Sequence, residues 1–164
     1  MVLMPGPLTQ AIGSVKQENS HVVYLSPQGK KLDAALCQKL AQHPHLILVC
    51  GHYEGIDERV IEKEIDEEIS IGDFVLTNGC IAAIVLIDAV ARFIPGVLGH
   101  KEAAAQDSFE QGLFDAPHYT KPVDFAGVQV PQVLLSGHHE EIRKWRYEKG
   151  YQKTKKVRPD LGVG

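Results

Sequence analysis

The chain has 164 residues, 44% hydrophobic and 23% charged, with a formal net charge of -4, the balance of one soluble globular domain with a short appendage. Its longest apolar run, Cys80 to Ile87, stops at Asp88, far short of the roughly 20 residues that span a bilayer, which excludes a membrane protein. Three cysteines, Cys37, Cys50 and Cys80, are odd in number and never form a C-x-x-C pair; they suit a reducing cytoplasm better than a disulfide framework or a zinc site.

The start, Met1 to Pro7, has no basic segment and no long apolar core, so no secretory signal is read there. Pro7 to Val15 reads as a helix without a strand before it, so the chain opens in mid-pattern and a preceding segment is expected. His21 to Ser26 is a β-branched and aromatic strand ended by Pro27-Gln28-Gly29, and His45 to Cys50 is a second, ended by Gly51. Between them Leu32, Ala35, Leu36 and Leu40 recur at helical spacing, which makes a strand-helix-strand unit with parallel strands. Asp57 to Ile65 reads as a charged helix, Ile69 to Leu76 as a third strand, and Cys80 to Arg92 as an apolar helix stopped by Pro95-Gly96. This is α/β alternation.

From Val97 to about Thr120 periodicity dissolves, as in a flexible interdomain linker. Beyond it, Ser136 is a candidate cap for a helix with Glu140 and Glu141 early and Arg143, Lys144 and Arg146 later, the order that a helix dipole favours. Between Arg143 and Arg158 eight basic residues face Glu148 alone, interleaved with Trp145, Tyr147 and Tyr151, while the rest of the chain is acidic. Cations track phosphates and aromatic faces stack on unpaired bases, so this tail is a candidate nucleic-acid contact; the bland alternative is a solvated helix face.

Three strand ends carry small or polar residues: Ser26 to Gly29, Gly51 to Gly55, and Thr77 to Gly79. In open parallel sheets ligands bind outside the carboxyl ends of the strands, where glycines admit backbone amides, so these loops mark a candidate small-molecule pocket. Neither G-x-G-x-x-G nor G-x-x-x-x-G-K-[ST] occurs, which leaves a dinucleotide or P-loop site unsupported. The carboxylates from Glu54 to Asp73 and the histidine pairs His43/His45 and His138/His139 lack a metal-ligand geometry, and no metal site is expected.

Cys50-Gly51-His52-Tyr53-Glu54-Gly55-Ile56-Asp57-Glu58-Arg59, Ile69 to Thr77, and Leu86 to Gly99 form an ordered set with Tyr24 to Gly29, Pro117 to Pro122 and Leu135 to Arg143. Together they closely resemble bacterial tRNA (guanine-N1)-methyltransferases, over nearly the whole chain. The resemblance implies a SPOUT-type trefoil-knotted parallel sheet with helices on both faces, a linker and a small C-terminal helical domain. The corresponding boundaries are 1–98 for a catalytic domain, 99–116 for the linker and 117–164 for a tRNA-binding domain. Both ends are expected to be shorter than the family's. It further implies a cytoplasmic homodimer that methylates N1 of the guanosine immediately 3' of the anticodon.

Carried over by position, the resemblance places S-adenosylmethionine against Tyr24, Leu25, Ser26, Gly51, Tyr53, Glu54, Ser70, Ile71, Gly72, Asp73, Phe74, Val75, Leu76 and Gly79. It makes Asp107 the general base and Arg92 the stabiliser of charge on the guanine 6-oxo group, and it makes magnesium a candidate requirement. RNA contacts are expected from Arg143, Lys144, Arg146 and Lys149. If the linker around Ala103 to Gln111 orders only with tRNA, the base is assembled by the correct substrate. Several positions depart from the family pattern: His52 for arginine, Phe74 for tyrosine, and Asn78, Cys80 and Ala82 in what is usually a Gly-Gly-Glu-Leu-Pro run. Asn78 can adopt the left-handed conformation that glycine supplies, so that change is mild. Two other readings are a catalytically weak S-adenosylmethionine or RNA-binding module, and a knotted methyltransferase acting on a ribose hydroxyl.

Overall fold

A computed structural model describes residues 1–98, 107–109 and 112–161. The chain forms two compact units, Met1–Lys101 and Glu102–Gly164.

The first unit runs α1 (Pro5–Val15), β1 (Ser20–Lys31), α2 (Ala34–Leu40), β2 (His45–Cys50), α3 (Glu58–Glu64), β3 (Glu67–Ser70) and α4 (Gly79–Ala91). The three strands pair in parallel in the order β2-β1-β3, so the first strand is central. Its side chains alternate across the sheet, as the period of two demands. Val23 and Leu25 face a core shared with Leu36, Leu40, Leu86 and Val90 of α2 and α4. Val22 and Tyr24 face the other core, with Ile12, Ile47, Val49 and Val60. Helices therefore cover both faces.

Local chemistry sets the helix starts. Asp33 accepts from the Leu36 amide, Asp57 from the Arg59 amide and Asn78 from the Cys80 amide, each satisfying a donor that the first helical turn leaves open. Asn78 thus sits in extended backbone (φ -161°, ψ 167°) as the cap of α4 and does not use the left-handed conformation open to it. Arg59 also holds the Asp57 carboxylate in two side-chain hydrogen bonds of 2.8 Å, which pull its pKa down to about 2.

Two strand boundaries differ from the sequence pattern. β1 does not end at Ser26. Leu25 pairs with Ile69, the next four residues leave the ladder, and Lys30 then pairs with Ile69 again. The Pro27-Gln28-Gly29 turn is thus an excursion within one extended run. β3, conversely, is confined to Glu67–Ser70. The Ser70 hydroxyl donates to the Gly72 carbonyl (2.9 Å) and accepts from the Gly72 amide (3.2 Å), a local turn that replaces the ladder. Phe74 and Val75 are then exposed, and the apolar run to Leu76 is a loop rather than a strand.

The second unit contains a hairpin, β4 (Asp124–Phe125) with β5 (Val128–Gln129), then α5 (Gln132–Leu135) and the long α6 (His139–Val157). Ser136 belongs to the end of α5, where its hydroxyl donates to the Val133 carbonyl; the residue that caps α6 is His138. The difference arises because Gly137, at φ 74°, turns the chain between the two helices. Of the stretch 99–116, residues 99–106 and 110–111 lie outside the described ones, as does most of the Ala103 to Gln111 segment. Its far end docks on α6: the Phe114 amide donates to the Thr154 hydroxyl at 2.7 Å, and that hydroxyl donates to the Gly150 carbonyl at 2.7 Å. Thr154 is fully buried, and a Cβ at Gly150 would overlap the Phe114 carbonyl oxygen. No described helix is long and apolar enough to cross a membrane.

Candidate functional site

At the carboxyl ends of the three parallel strands lies a cavity of about 470 Å³. Its walls come from three loops: Ser26 to Gln28 after β1's first ladder, Gly51 to Ile56 after β2, and Ile71 to Gly79 after β3. The last of these returns across the sheet. From β3 on one side of β1, the chain reaches the end of β2 on the other, where Asn78 bridges His52 and the Gly79 amide donates to the Gly51 carbonyl at 3.0 Å.

The closeness of that contact explains its two glycines. A Cβ on Gly79 would stand 3.0 Å from the Cys50 Cα and 3.2 Å from the Gly51 nitrogen, and one on Gly51 would stand 2.9 Å from the Tyr24 hydroxyl. At Gly79 a side chain would crowd backbone, and at Gly51 it would press on the Tyr24 ring. Tyr24 itself is a wall of the cavity and part of the core; burial and the nearby Glu68 raise its pKa, so it is a neutral phenol, hydrogen-bonded to the backbone of Ile56. Beside it Tyr53 adopts φ 59°, a left-handed conformation rare for a bulky residue and held in a turn closed by the Gly55 amide on the His52 carbonyl.

The cavity brings together the expected cofactor residues Tyr24, Leu25, Ser26, Gly51, Tyr53, Glu54, Ser70, Ile71, Gly72, Phe74, Val75, Leu76 and Gly79. Asp73 is not among the lining residues; its side chain is 90% exposed and lies 3.4 Å from the Lys31 amine. Further walls come from Pro27, Gln28, His52, Thr77 and Asn78, inside the loops that the glycines mark, and from Glu58, Ile61 and Ala82, which nothing in the local sequence distinguishes. Those three face the cavity only because α3 and α4 pack on the sheet.

The electrostatic character of the wall is distinctive. Among the described residues it carries Glu54 and Glu58 and no lysine or arginine. Apolar Leu25, Ile61, Ile69 and Leu76 and the half-exposed rings of Tyr53 and Phe74 make up much of the remainder. Such a site offers backbone groups, flat apolar contacts and negative charge, which suits a cationic or neutral heteroaromatic ligand rather than a polyphosphate.

Each of the two expected catalytic residues belongs to its own unit. Arg92 is the exposed C-cap of α4. Asp107 lines a second cavity, of about 670 Å³, inside the second unit, with Phe114, Asp115, His139, Arg143, Lys144, Arg146 and Tyr147. Three of the four expected RNA-contacting residues therefore line the same cavity as Asp107, and Lys149 does not. Arg143 is also paired with Glu140 at 2.9 Å on the solvent side of α6. The aromatics of that helix make ring contacts: Tyr147 stacks with Tyr151, Lys155 lies 5.9 Å from the Tyr151 ring, and Trp145 meets Tyr119. Among the described residues no cluster of three or more histidine, cysteine or carboxylate side chains is arranged to hold a metal.

The family model for tRNA (Guanine-1)-methyltransferase TrmD matches residues 1–163. The chain belongs to this family. Among the proteins it resembles, the tRNA (guanine-N(1)-)-methyltransferase of Protochlamydia amoebophila is 65% identical over 161 residues, covering 98% of this chain and 72% of that protein. Those of Chlamydia muridarum and Chlamydia pneumoniae are 60% and 62% identical over 98% of this chain, which spans 46% and 45% of their lengths.

Proposed function

We propose that this chain methylates N1 of the guanosine immediately 3' of the anticodon in tRNA, with S-adenosylmethionine in the cavity at the strand ends. The observation that carries the reading is the character of that wall: acidic and apolar, without basic side chains among the described residues, and closed by backbone at Gly51 and Gly79. When bound, S-adenosylmethionine supplies a methyl group activated by a positively charged sulfur. The carboxylates of Glu54 and Glu58 favour that charge, and the rings of Tyr53 and Phe74 offer faces to a planar base.

The ring nitrogen of guanine is a poor nucleophile until its proton leaves. Asp107 takes that proton, and Arg92 stabilises the negative charge that spreads to the 6-oxo oxygen. The chain's part is to hold the reacting groups in line. The cations of α6, exposed Arg143, Lys144 and Arg146 and half-buried Lys149, track the tRNA backbone, which assigns 1–98 to cofactor chemistry and 117–164 to RNA.

The knotted form of the sheet belongs to the same proposal. Its support is the path after β3, which crosses to the end of β2 while the Ser26 to Gly29 excursion leaves the ladder beside it. A homodimer is proposed from α4, which buries Ala82, Ala83, Leu86 and Val90 and leaves Ile81, Ile84, Val85 and Ile87 at the surface.

The test is methyl transfer to a tRNA transcript, with nuclease digestion and mass spectrometry to locate the methyl group. N1-methylguanosine is expected; a ribose product overturns the assignment. Asp107→Asn should lower the rate on the order of 100-fold or more while calorimetric binding of S-adenosylmethionine persists. Arg92→Ala should do likewise. Cofactor binding without any transfer by the unaltered chain would leave a binding module. Running the assay with and without magnesium tests that requirement.

A further inference from the structure

Beside the cavity, the bridge between His52 and Asn78 is antiparallel, and the Gly79 amide donates to the Gly51 carbonyl. Asn78 caps α4, whose first turn therefore starts against the end of β2. A Cβ on Gly79 would stand 3.0 Å from the Cys50 Cα and 3.3 Å from the Cys50 Cβ, and Cys80 is the next residue of that turn. The Cys80 thiol is near enough to the Cys50 thiol to raise its pKa. Both thiols are free, Cys80 exposed at the start of α4 and Cys50 half-buried at the end of β2.

We propose that Cys50 and Cys80 are a reversible oxidation site, closed to a disulfide by a hydroperoxide, and that closure weakens ligand binding in the adjoining cavity. The second half rests on the proposed use of that cavity for S-adenosylmethionine. Burial and the adjacent Cys80 raise the Cys50 pKa, which leaves the exposed Cys80 as the sulfur that meets the oxidant first. The Cys80 sulfur is oxidised by the peroxide to a sulfenic acid as the O–O bond breaks and an alcohol or water leaves. The Cys50 sulfur then attacks the Cys80 sulfur, forming the S–S bond and releasing water with the Cys50 proton. Two thiols reduce one peroxide, and a dithiol reductant reverses the bond by exchange.

The effect on the cavity is a matter of position. Gly51 and Gly79, each next to one of the two sulfurs, are wall residues. Two separate thiols leave the start of α4 free to adjust against β2, whereas a bond of about 2.05 Å draws the two together where backbone already touches backbone.

The experiment treats the reduced chain with stoichiometric hydrogen peroxide, counts free thiols, and maps linked peptides by mass spectrometry. Loss of two of the three thiols in an intramolecular Cys50–Cys80 peptide, restored by dithiothreitol, is expected, with buried Cys37 as the internal control. Cys80→Ser, a substitution at an exposed position, should keep the melting temperature and abolish the cross-link. Calorimetry with S-adenosylmethionine should then show binding weakened on the order of tenfold in the oxidised chain and unchanged by peroxide in Cys80→Ser. No cross-link, or one between two chains, overturns the site. A cross-link with unchanged affinity overturns the regulatory effect. Failure of the reduced chain to bind would instead overturn the cofactor assignment and, with it, the regulatory effect, while the thiol count still decides the oxidation site.

Discussion

Gly79 joins the two roles of the loop after β3: it begins α4, and it lets that helix touch the end of β2. In Gly79→Ala the new methyl group meets the Cys50 Cα at 3.0 Å, a backbone atom that cannot rotate away. The expected result is a loss of about 1–3 kcal/mol from overpacking, read by denaturant unfolding, together with weaker calorimetric binding of S-adenosylmethionine. A second residue-scale prediction concerns His43, whose ring stacks on His21 with centroids 4.2 Å apart. Burial, His21 and Lys39 lower its pKa, outweighing Glu67 and Asp66. The unfolded chain therefore takes up the proton more readily. Its share of stability is intact above the ordinary histidine value of about 6.5 and is lost as pH falls from there through the lowered folded value. Melting temperature should decline over that interval, and less steeply in His43→Gln.

Among the elements, those with one environment were the legible ones. β2 reads from its apolar run, α4 from its propensity, and the Glu-to-Arg order of α6 from its dipole. The run from Ile69 to Leu76 misled because apolar residues lining a cavity and apolar residues in a sheet look alike in sequence; only the turn at Ser70 separates them. Glycines marked all three pocket loops, whereas the cavity-facing Glu58 and Ile61 are a product of helix packing. Asp107 carries no local signature, and its assignment came from family resemblance. The docking of Phe114 on α6 was equally silent, since it depends on an absence of side chain at Gly150 and one hydroxyl at Thr154. Those two positions make a test. Gly150→Ala forces the Phe114 carbonyl away, and Thr154→Ala strands the Phe114 amide; each should cost about 1–3 kcal/mol in the unfolding of the second unit, monitored by Trp145 fluorescence.

At the scale of the molecule, the two units are built on different principles. The first closes two apolar cores on either side of a sheet, while in the second the long α6 buries only Gly150 and Thr154 along its whole length. The central position of β1 also has a kinetic meaning. Both of its neighbours arrive later in the chain, β2 pairing Ser20 with His45 and β3 pairing Val23 with Glu67, so two long loops must close before either ladder is rewarded. The cavity is assembled from the loops at the far ends of those ladders and has no existence in a chain whose sheet is still open. A ligand that occupies it has nothing to grip during the search for the native pairing. Such a ligand will lengthen the lifetime of the finished molecule, leaving the speed at which the molecule is first made untouched.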